Sequence, residues 1–293
     1  MRVICVIFDL FVIMEILKIK TEIKDRIHSL KKQGYSVGLV PTMGALHDGH
    51  ASLVREARLE NDQVVVSIFV NPTQFNDPSD LQKYPRSLEK DILLLEKMGV
   101  DFVFVPENKE MYPEEDLRTF DLYPLDSVME GKYRKNHFNG VSQIVSKLFE
   151  TTVPDRAYFG QKDFQQLVII KRLVEIMGYD ISIIPCPIIR EPDGLAMSSR
   201  NTLLTGEERA VAPFISKTLF GALALKPDYK PDALSQWVVE QFRKKKEFRL
   251  EYFEIVDDKE LKRVVEWSEK VSSVGCIAVQ LGKIRLIDNI IFD

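Results

Sequence analysis

Two histidines three positions apart, His47 and His50, stand in the stretch PTMGALHDGH (41–50), in a chain with only four histidines in 293 residues. Imidazoles at this spacing share a face where a helix begins, and the glycines Gly44 and Gly49 let backbone approach an anion. Phosphate oxygens are therefore one target. A metal ion is another, but it needs a third ligand, and His28 and His137 come without HExxH or Cys/His spacing. The bland alternative is a pair of surface histidines.

Other segments carry compatible chemistry. In FGQKDFQQ, Lys162 can reach a phosphate and Asp163 can cap a helix or bind a hydroxyl, although a plain capped helix reads the same. AMSSRN joins Ser198 and Ser199 to Arg200, donors suited to a polyphosphate and equally ordinary loop composition. FVNPTQF sets the amide of Gln74 in a proline-stiffened loop, where it can bind a carboxylate or hydroxyl or simply face solvent. Asp91, in EKDILLLEK, is a candidate magnesium ligand or part of a solvated helix face. The run RKKKEF (243–248) reads as a solvated helix end. Phosphate-loop, G-x-G-x-x-G, G-x-S-x-G and zinc motifs are absent from the sequence.

These segments need a frame. Apolar spacing predicts a helix over 15–34 with Ile23, Ile27 and Leu30 on one face, a strand over 35–40, and a helix over 49–61 with Leu53, Ala57 and Leu59 inward. A strand over 62–70, a loop to 85, a helix over 86–99 and a strand over 100–106 come next. Beyond them lie a helix over 140–152, a strand over 156–160, a helix over 163–178 and a strand over 180–190. Such alternation predicts an α/β fold with a parallel sheet and helical crossovers. After EPDG (191–194) the pattern changes to helices over 205–230 and 233–247 and three strands, a smaller α+β unit. The expected domains are 1–190 and 191–293. Ligands of parallel α/β sheets bind beyond the carboxyl ends of strands, and each polar segment above comes after a strand, so the loops are expected to converge.

Composition restricts the partners. With 45% hydrophobic and 29% charged residues, the chain is globular; 40 basic and 44 acidic side chains leave a net charge of −4, with no general pull toward nucleic acid or an anionic membrane. Cys5, Cys186 and Cys276 are too few and too scattered for a disulfide framework or a CxxC metal site, which suits the cytoplasm. The apolar start, MRVICVIFDLFVIMEIL, is interrupted by Asp9 and too short to span a bilayer. It reads as a buried first strand, or as an extension upstream of a natural start at Met14.

Together PTMGALHDGH, SIFVNPTQF, YPRSLEKD, HFNGVSQIVSKLF, YFGQKDFQQL, PIIREPDGLAMSSRN, YFEIVD and RLIDN, in this order from about Glu15 to the end, resemble the pantothenate synthetase (pantoate-β-alanine ligase) family of the HxGH nucleotidyltransferase superfamily. The resemblance implies a Rossmann-like parallel-sheet nucleotidyltransferase domain with a smaller α+β C-terminal domain. It implies ATP-dependent condensation of pantoate with β-alanine through a pantoyl adenylate, releasing AMP and diphosphate, with magnesium, in a cytoplasmic homodimer. Matched by motif, Met43, Gly44, Ala45, Leu46, His47, Asp48, Gly49 and His50 correspond to the first ATP segment, with His50 in the proton-donor position. Gly160, Gln161, Lys162 and Asp163 correspond to the second, Ile189 to a backbone contact on the adenine side, and Met197, Ser198, Ser199 and Arg200 to the third. Gln74 matches the amide for pantoate and β-alanine, Gln166 that for pantoate, Arg134 an arginine near the substrates, and Asp91 a carboxylate linked to Mg2+. The chain departs from the family pattern at Lys90, Lys135 and Asn139, and residues 1–13 have no counterpart.

Two enzyme classes and one non-enzyme compete with this reading. A nucleotidyltransferase acting on a phosphorylated small molecule calls for extra cationic side chains where Gln74 and Gln166 stand. A class I aminoacyl-tRNA synthetase calls for a basic tRNA-binding appendage. A nucleotide sensor without turnover is expected to have lost one of His47, His50, Lys162 or Arg200, and all four are present.

Overall fold

The computed structural model describes residues 14–292, so the expectation for 1–13 lies outside it. The first part of the chain runs β1 (Glu15–Leu17), α1 (Lys20–Lys32), β2 (Val37–Thr42), α2 (Asp48–Glu60), β3 (Gln63–Ile68), α3 (Pro78–Lys83), α4 (Leu88–Lys97) and β4 (Phe102–Phe104). It continues through α5 (Asn108–Met111), α6 (Met129–Tyr133), α7 (His137–Thr152), β5 (Arg156–Gly160), α8 (Phe164–Met177) and β6 (Ser182–Cys186). Among the described residues these strands form a six-stranded parallel sheet in the order β1-β4-β3-β2-β5-β6.

Alternation along the strands divides the core between the two faces of the sheet. Leu39, Val65, Ala157 and Phe159 face one way and join Ile23 and Ile27 of α1 with Val141, Ile144 and Val145 of α7. Val40, Val64, Val66 and Tyr158 face the other way, against Leu53, Val54 and Ala57 of α2 and Leu95 of α4. Strand order reverses between β2 and β5: from β2 the chain winds outward through β3 and β4, then crosses back through α7 to β5 and β6. That reversal opens a crevice at the carboxyl ends of β2 and β5, the two strands that lead into PTMGALHDGH and GQKDFQQ.

The rest of the chain forms α9 (Gly206–Val211), α10 (Phe214–Leu225), α11 (Pro231–Arg243), β7 (Phe248–Asp257), β8 (Ser273–Leu281) and β9 (Ile284–Phe292). The last three strands make an antiparallel sheet. It has its own apolar cluster, including Ile215, Leu219, Val238, Phe253, Ile277 and Phe292. A further cluster is shared, with Leu122, Phe138, Phe164 and Ile169 packing against Tyr252, Val274, Cys276 and Ala278. Two buried ion pairs tie the halves together. Arg190 donates to both oxygens of Asp288 at 2.6 and 3.0 Å. Glu130, 7% exposed, accepts from both terminal nitrogens of Arg285 at 2.7 Å and from the Tyr252 hydroxyl at 2.7 Å. Burial pushes the Glu130 pKa up, but the bonds from Arg285 outweigh it and hold the carboxyl at about 2.

Several sequence expectations are corrected. The helix expected over 15–34 is preceded by β1, which pairs with β4; three residues are too few to break a helical pattern visibly. The strand expected over 35–40 runs instead over Val37–Thr42 and includes Pro41. Leu59 is 80% exposed while α2 buries Ala51, Leu53, Val54 and Ala57, because two residues past Ala57 is more than half a helical turn. The loop before 85 contains α3, and the strand expected over 180–190 ends at Cys186. Among the described residues no helix is long and apolar enough to cross a membrane.

Removing the buried Glu130 carboxylate takes a partner from two half-buried arginines, Arg134 and Arg285, of which Arg285 keeps Glu251, and from a buried tyrosine hydroxyl. Glu130→Ala is expected to lower unfolding free energy by about 3–5 kcal/mol in urea titrations, the scale for breaking a buried ion pair from one side. A loss under about 1 kcal/mol would show that the pair adds little to the joint.

Candidate active site

The crevice between β2 and β5 is a cleft enclosing about 1240 Å³ of empty space, its open mouth included, ample for a nucleotide beside a small acid. Its wall brings together Met43, His47, Gly49, His50, Gln74, Gly160, Lys162, Asp163, Gln166, Ile189 and Met197 to Arg200, from loops far apart in sequence. Ala45, Leu46, Asp48 and Gln161 are not part of this lining, and Gly44, Asp91 and Arg134 line neighbouring cavities.

His47 is the N-cap of α2. Its Nδ1 accepts the Gly49 N–H at 3.1 Å, and the His47 N–H donates to Nδ1 of His50 at 3.3 Å, a reciprocal capping box built from imidazoles. With both Nδ1 atoms accepting, each neutral ring carries its proton on Nε2 as a donor. Gly49 serves this packing more than an anion's approach: a Cβ there would lie 2.7 Å from His47 Cε1. The rings sit 4.1 Å apart, centre to centre, at the half-buried cleft wall. Burial first, then Lys162, lowers the His47 pKa to about 4; burial, then His47 and Lys162, lowers that of His50 to about 3. Both are neutral hydrogen-bond donors at neutral pH.

Facing them, Lys162 and Asp163 form the turn leading into α8, with Lys162 Nζ 3.4 Å from the Asp163 carboxylate. Asn289 of β9 fixes this turn by donating to the carbonyls of Gln161 and Lys162 at 2.8 and 2.9 Å. Beyond β6, an isolated bridge joins Arg190 to Ala196, and Met197 N donates to the Ile189 carbonyl at 3.0 Å. Ser199 Oγ donates to the Ala45 carbonyl at 3.1 Å, and Arg200 pairs with Asp80 of α3 at 3.0 Å across the mouth of the cleft.

Gln74, 9% exposed, ends the 3-10 turn Pro72–Gln74. Its Oε1 accepts from Asn71 Nδ2 at 3.2 Å, and its Nε2 lies 3.1 Å from Met43 Sδ. Gly140 lets α7 press on this turn, since a Cβ there would lie 2.4 Å from the Thr73 carbonyl oxygen. The Gln74 carbonyl lies 2.9 Å from His137 Nδ1, whose Nε2 faces Arg134 at 3.0 Å. His137 is 5% exposed, and burial, then the Arg134 charge, lowers its pKa to about 3. Its Nδ1–H therefore donates to the Gln74 carbonyl and its Nε2 accepts from Arg134.

Arg134 reaches Gln74 both directly, its Nη2 donating to the Gln74 carbonyl at 3.4 Å, and through His137, and Glu130 is its carboxylate partner at 3.6 Å. Lys135 is exposed, and Asn139 bridges backbone by accepting from Phe120 N and donating to the Arg118 carbonyl, both at 3.1 Å. Asp91 is 2% exposed, and its carboxylate accepts the backbone amides of Ala45 and Leu46. Sequence reasoning did not single out Asn71, Glu130, Asn289 or a role for His137, since each also has partners distant in sequence that only the fold brings near.

A parallel α/β sheet with a polar cleft at its strand-order reversal, flanked by a small antiparallel sheet, defines a Rossmann-like α/β fold class. The model of the Pantoate-beta-alanine ligase family matches residues 15–291. The chain belongs to that family and is a ligase. It is 49% identical over 280 residues to the pantothenate synthetase of Porphyromonas gingivalis, covering 96% of this chain and all of that protein. It is 52% identical over 277 residues to that of Bacteroides thetaiotaomicron, covering 94% and 98%. The solved pantothenate synthetase of Thermus thermophilus superposes with a TM-score of 0.88 at 38% identity, covering 94% of this chain and 99% of that one. The pantoate-β-alanine ligase of Francisella tularensis, solved with β-γ ATP and β-alanine, gives 0.78 at 36% identity, covering 95% and 98%.

The three lowered histidines fix a pH window. Their unfolded value is 6.5, so between there and about 4 or 3 the unfolded chain takes up protons that the folded one refuses. Their stabilising contribution is complete above 6.5 and is lost as pH falls. The urea midpoint is expected to fall from pH 7 to pH 5, less steeply in His137→Gln; equal slopes would show that His137 is not held neutral.

Proposed function

We propose that this cleft joins pantoate to β-alanine at the expense of ATP, in two steps and without a covalent enzyme intermediate. In the first, a pantoate carboxylate oxygen attacks the α-phosphorus of ATP; the bond to the β-phosphate bridging oxygen breaks and diphosphate leaves. In the second, the β-alanine amine attacks the acyl carbon of the pantoyl adenylate, the acyl–oxygen bond breaks, AMP leaves and the nitrogen gives up its proton. A carboxylate resists amines until it carries such a leaving group.

The observation that carries this reading is the meeting, in one cleft, of neutral imidazoles, a lysine and an arginine from the ends of different strands with two uncharged amides, Gln74 and Gln166. The cations and N–H donors suit charge that builds on the α-phosphate and departing diphosphate, so His47, His50, Lys162, Ser198, Ser199 and Arg200 act electrostatically. With its pKa near 3, His50 serves in this scheme as a neutral Nε2–H donor to a phosphate oxygen. Gln74 and Gln166 suit the hydroxyl and carboxylate groups of pantoate, and favour a substrate without a phosphate of its own. The Francisella tularensis relative, solved with an ATP analogue and β-alanine, supports the same ligands here.

Magnesium enters this scheme as the partner ion of ATP and therefore with the substrate. Among the described residues no group of three or more His, Cys, Asp or Glu can hold a metal ion. The division at 190/191 is retained as a division of labour, the second unit closing over the adenylate and excluding water. Arg200 and Ser199 already reach back from 191–293 to Asp80 and the Ala45 carbonyl. A homodimer in the cytoplasm completes the proposal on family grounds.

His50→Ala and Lys162→Ala are each expected to lower kcat at least about a hundredfold with folding intact, the scale of a lost transition-state donor. Near-normal turnover in either would remove that residue from the chemistry. Gln166→Ala is expected to weaken pantoate binding while leaving ATP binding nearly unchanged by titration calorimetry; a defect confined to ATP would contradict its role.

A further inference from the structure

We propose that Asp91 is a positioning residue that sets the His47–His50 loop from behind, and that it does not bind magnesium. The proposal rests on reading the cleft as an ATP site. Its physical basis is the backbone of that loop. Gly44 has φ +76° and Ala45 φ +50°, two successive left-handed residues. In this turn the consecutive amides of Ala45 and Leu46 point to one side and make an anion-binding concavity.

The anion that fills this concavity belongs to the protein. Asp91 Oδ2 accepts the Ala45 N–H at 2.8 Å, and Oδ1 accepts the Leu46 N–H at 2.9 Å and the Ser87 hydroxyl at 3.0 Å. Ser87 is the N-cap of α4 but does not cap it with its side chain, and its hydroxyl points to Asp91 instead. Gly44 leaves room for the contact, since a Cβ there would lie 3.1 Å from Asp91 Oδ2 and equally close to an Ile68 methyl. The amides of a loop that looks made for phosphate are thus occupied, and phosphate recognition passes to the side chains in front of them.

The Ala45 backbone is held on both sides. Its N–H goes to Asp91 on α4, and its carbonyl accepts Ser199 Oγ from the segment on the opposite side of the cleft. Leu46, the second amide held by Asp91, directly precedes His47, whose own N–H fixes Nδ1 of His50. The direction of both imidazoles is therefore set by where α4 places one carboxylate.

A magnesium ion does not fit there. It requires about six oxygen ligands in octahedral array. Around the Asp91 carboxylate stand two N–H groups and one O–H, so a cation would meet the positive ends of dipoles. Lys90, the adjoining side chain, is exposed and cationic. A carboxylate also suits the hook better than an amide would. An asparagine side chain at this position would have one acceptor oxygen for two backbone donors, with its NH2 turned against one of them.

The test uses the full chain without nucleotide, by NMR with the amides of Ala45 and Leu46 assigned. Manganese(II), as a paramagnetic substitute for magnesium, is expected to leave both amides unbroadened. In Asp91→Asn both amide resonances are expected to move upfield and exchange faster with solvent, kcat to fall at least tenfold, and excess magnesium to leave that loss uncorrected. Ser87→Ala, which removes one bond to Oδ1, is expected to shift the Leu46 amide in the same direction by less. Broadening in the wild type that Asp91→Asn abolishes, recovery of kcat with magnesium, or unmoved amides in Asp91→Asn would overturn the proposal. The manganese measurement needs no variant to fold. A wild type that forms no pantothenate would instead overturn the ligase reading and leave the amide results standing.

Discussion

Between β2 and β5 the parallel sheet reverses its winding direction, and that topological constraint decides where the polar residues of this protein meet. Helices cover both faces of the sheet, so the carboxyl ends of these two strands are the place where backbone and side chains can open onto a ligand without exposing core. His47 and His50 come from the loop after β2, Lys162 and Asp163 from the turn after β5, and Ser199 and Arg200 from the segment beyond β6. The small antiparallel sheet matters to the cleft because Asn289 on β9 holds the Lys162 turn and Asp288 beside it holds Arg190. Core packing and site geometry are therefore one problem here.

The electrostatics are a consequence of burial. Each of His47, His50 and His137 is crowded by protein and stands near a cation, and both effects disfavour the imidazolium. The outcome is a set of neutral rings with fixed tautomers, two giving N–H donors at the cleft and one held between Arg134 and the Gln74 carbonyl, to which Arg134 also donates directly. Such donors are oriented before a substrate arrives and need no reorganisation as charge develops. Elsewhere a buried carboxylate with sufficient partners keeps its charge, as Glu130 does between Arg285, Tyr252 and Arg134.

The fold class and the convergence of loops were legible in the sequence because both depend on local periodicity and on the residues immediately after each strand. His47, His50, Gln74, Lys162 and Arg200 carry motifs that can be read in a few residues, and the structure brings all of them to one cleft. Leu59 misled because its apolar character suggested burial where the helical angle points outward. β1 was hidden by its length, since it is defined by pairing with β4 and not by its own pattern. Asp91 shows the harder limit: sequence reveals a carboxylate, but only the fold shows that its neighbours are hydrogen-bond donors. Glu130, Asn289 and the His137 relay are invisible for the same reason, each being defined by a partner more than fifty residues away.

In the proposed mechanism the cleft activates pantoate as an adenylate before the amine enters. It is tested most directly by single-turnover mixing of the protein with ATP, magnesium and pantoate, without β-alanine, while monitoring diphosphate. A rapid burst of diphosphate equal to the concentration of sites is expected, with AMP released only when β-alanine is added. Diphosphate that waits for β-alanine, or ADP and phosphate as the products, would contradict it.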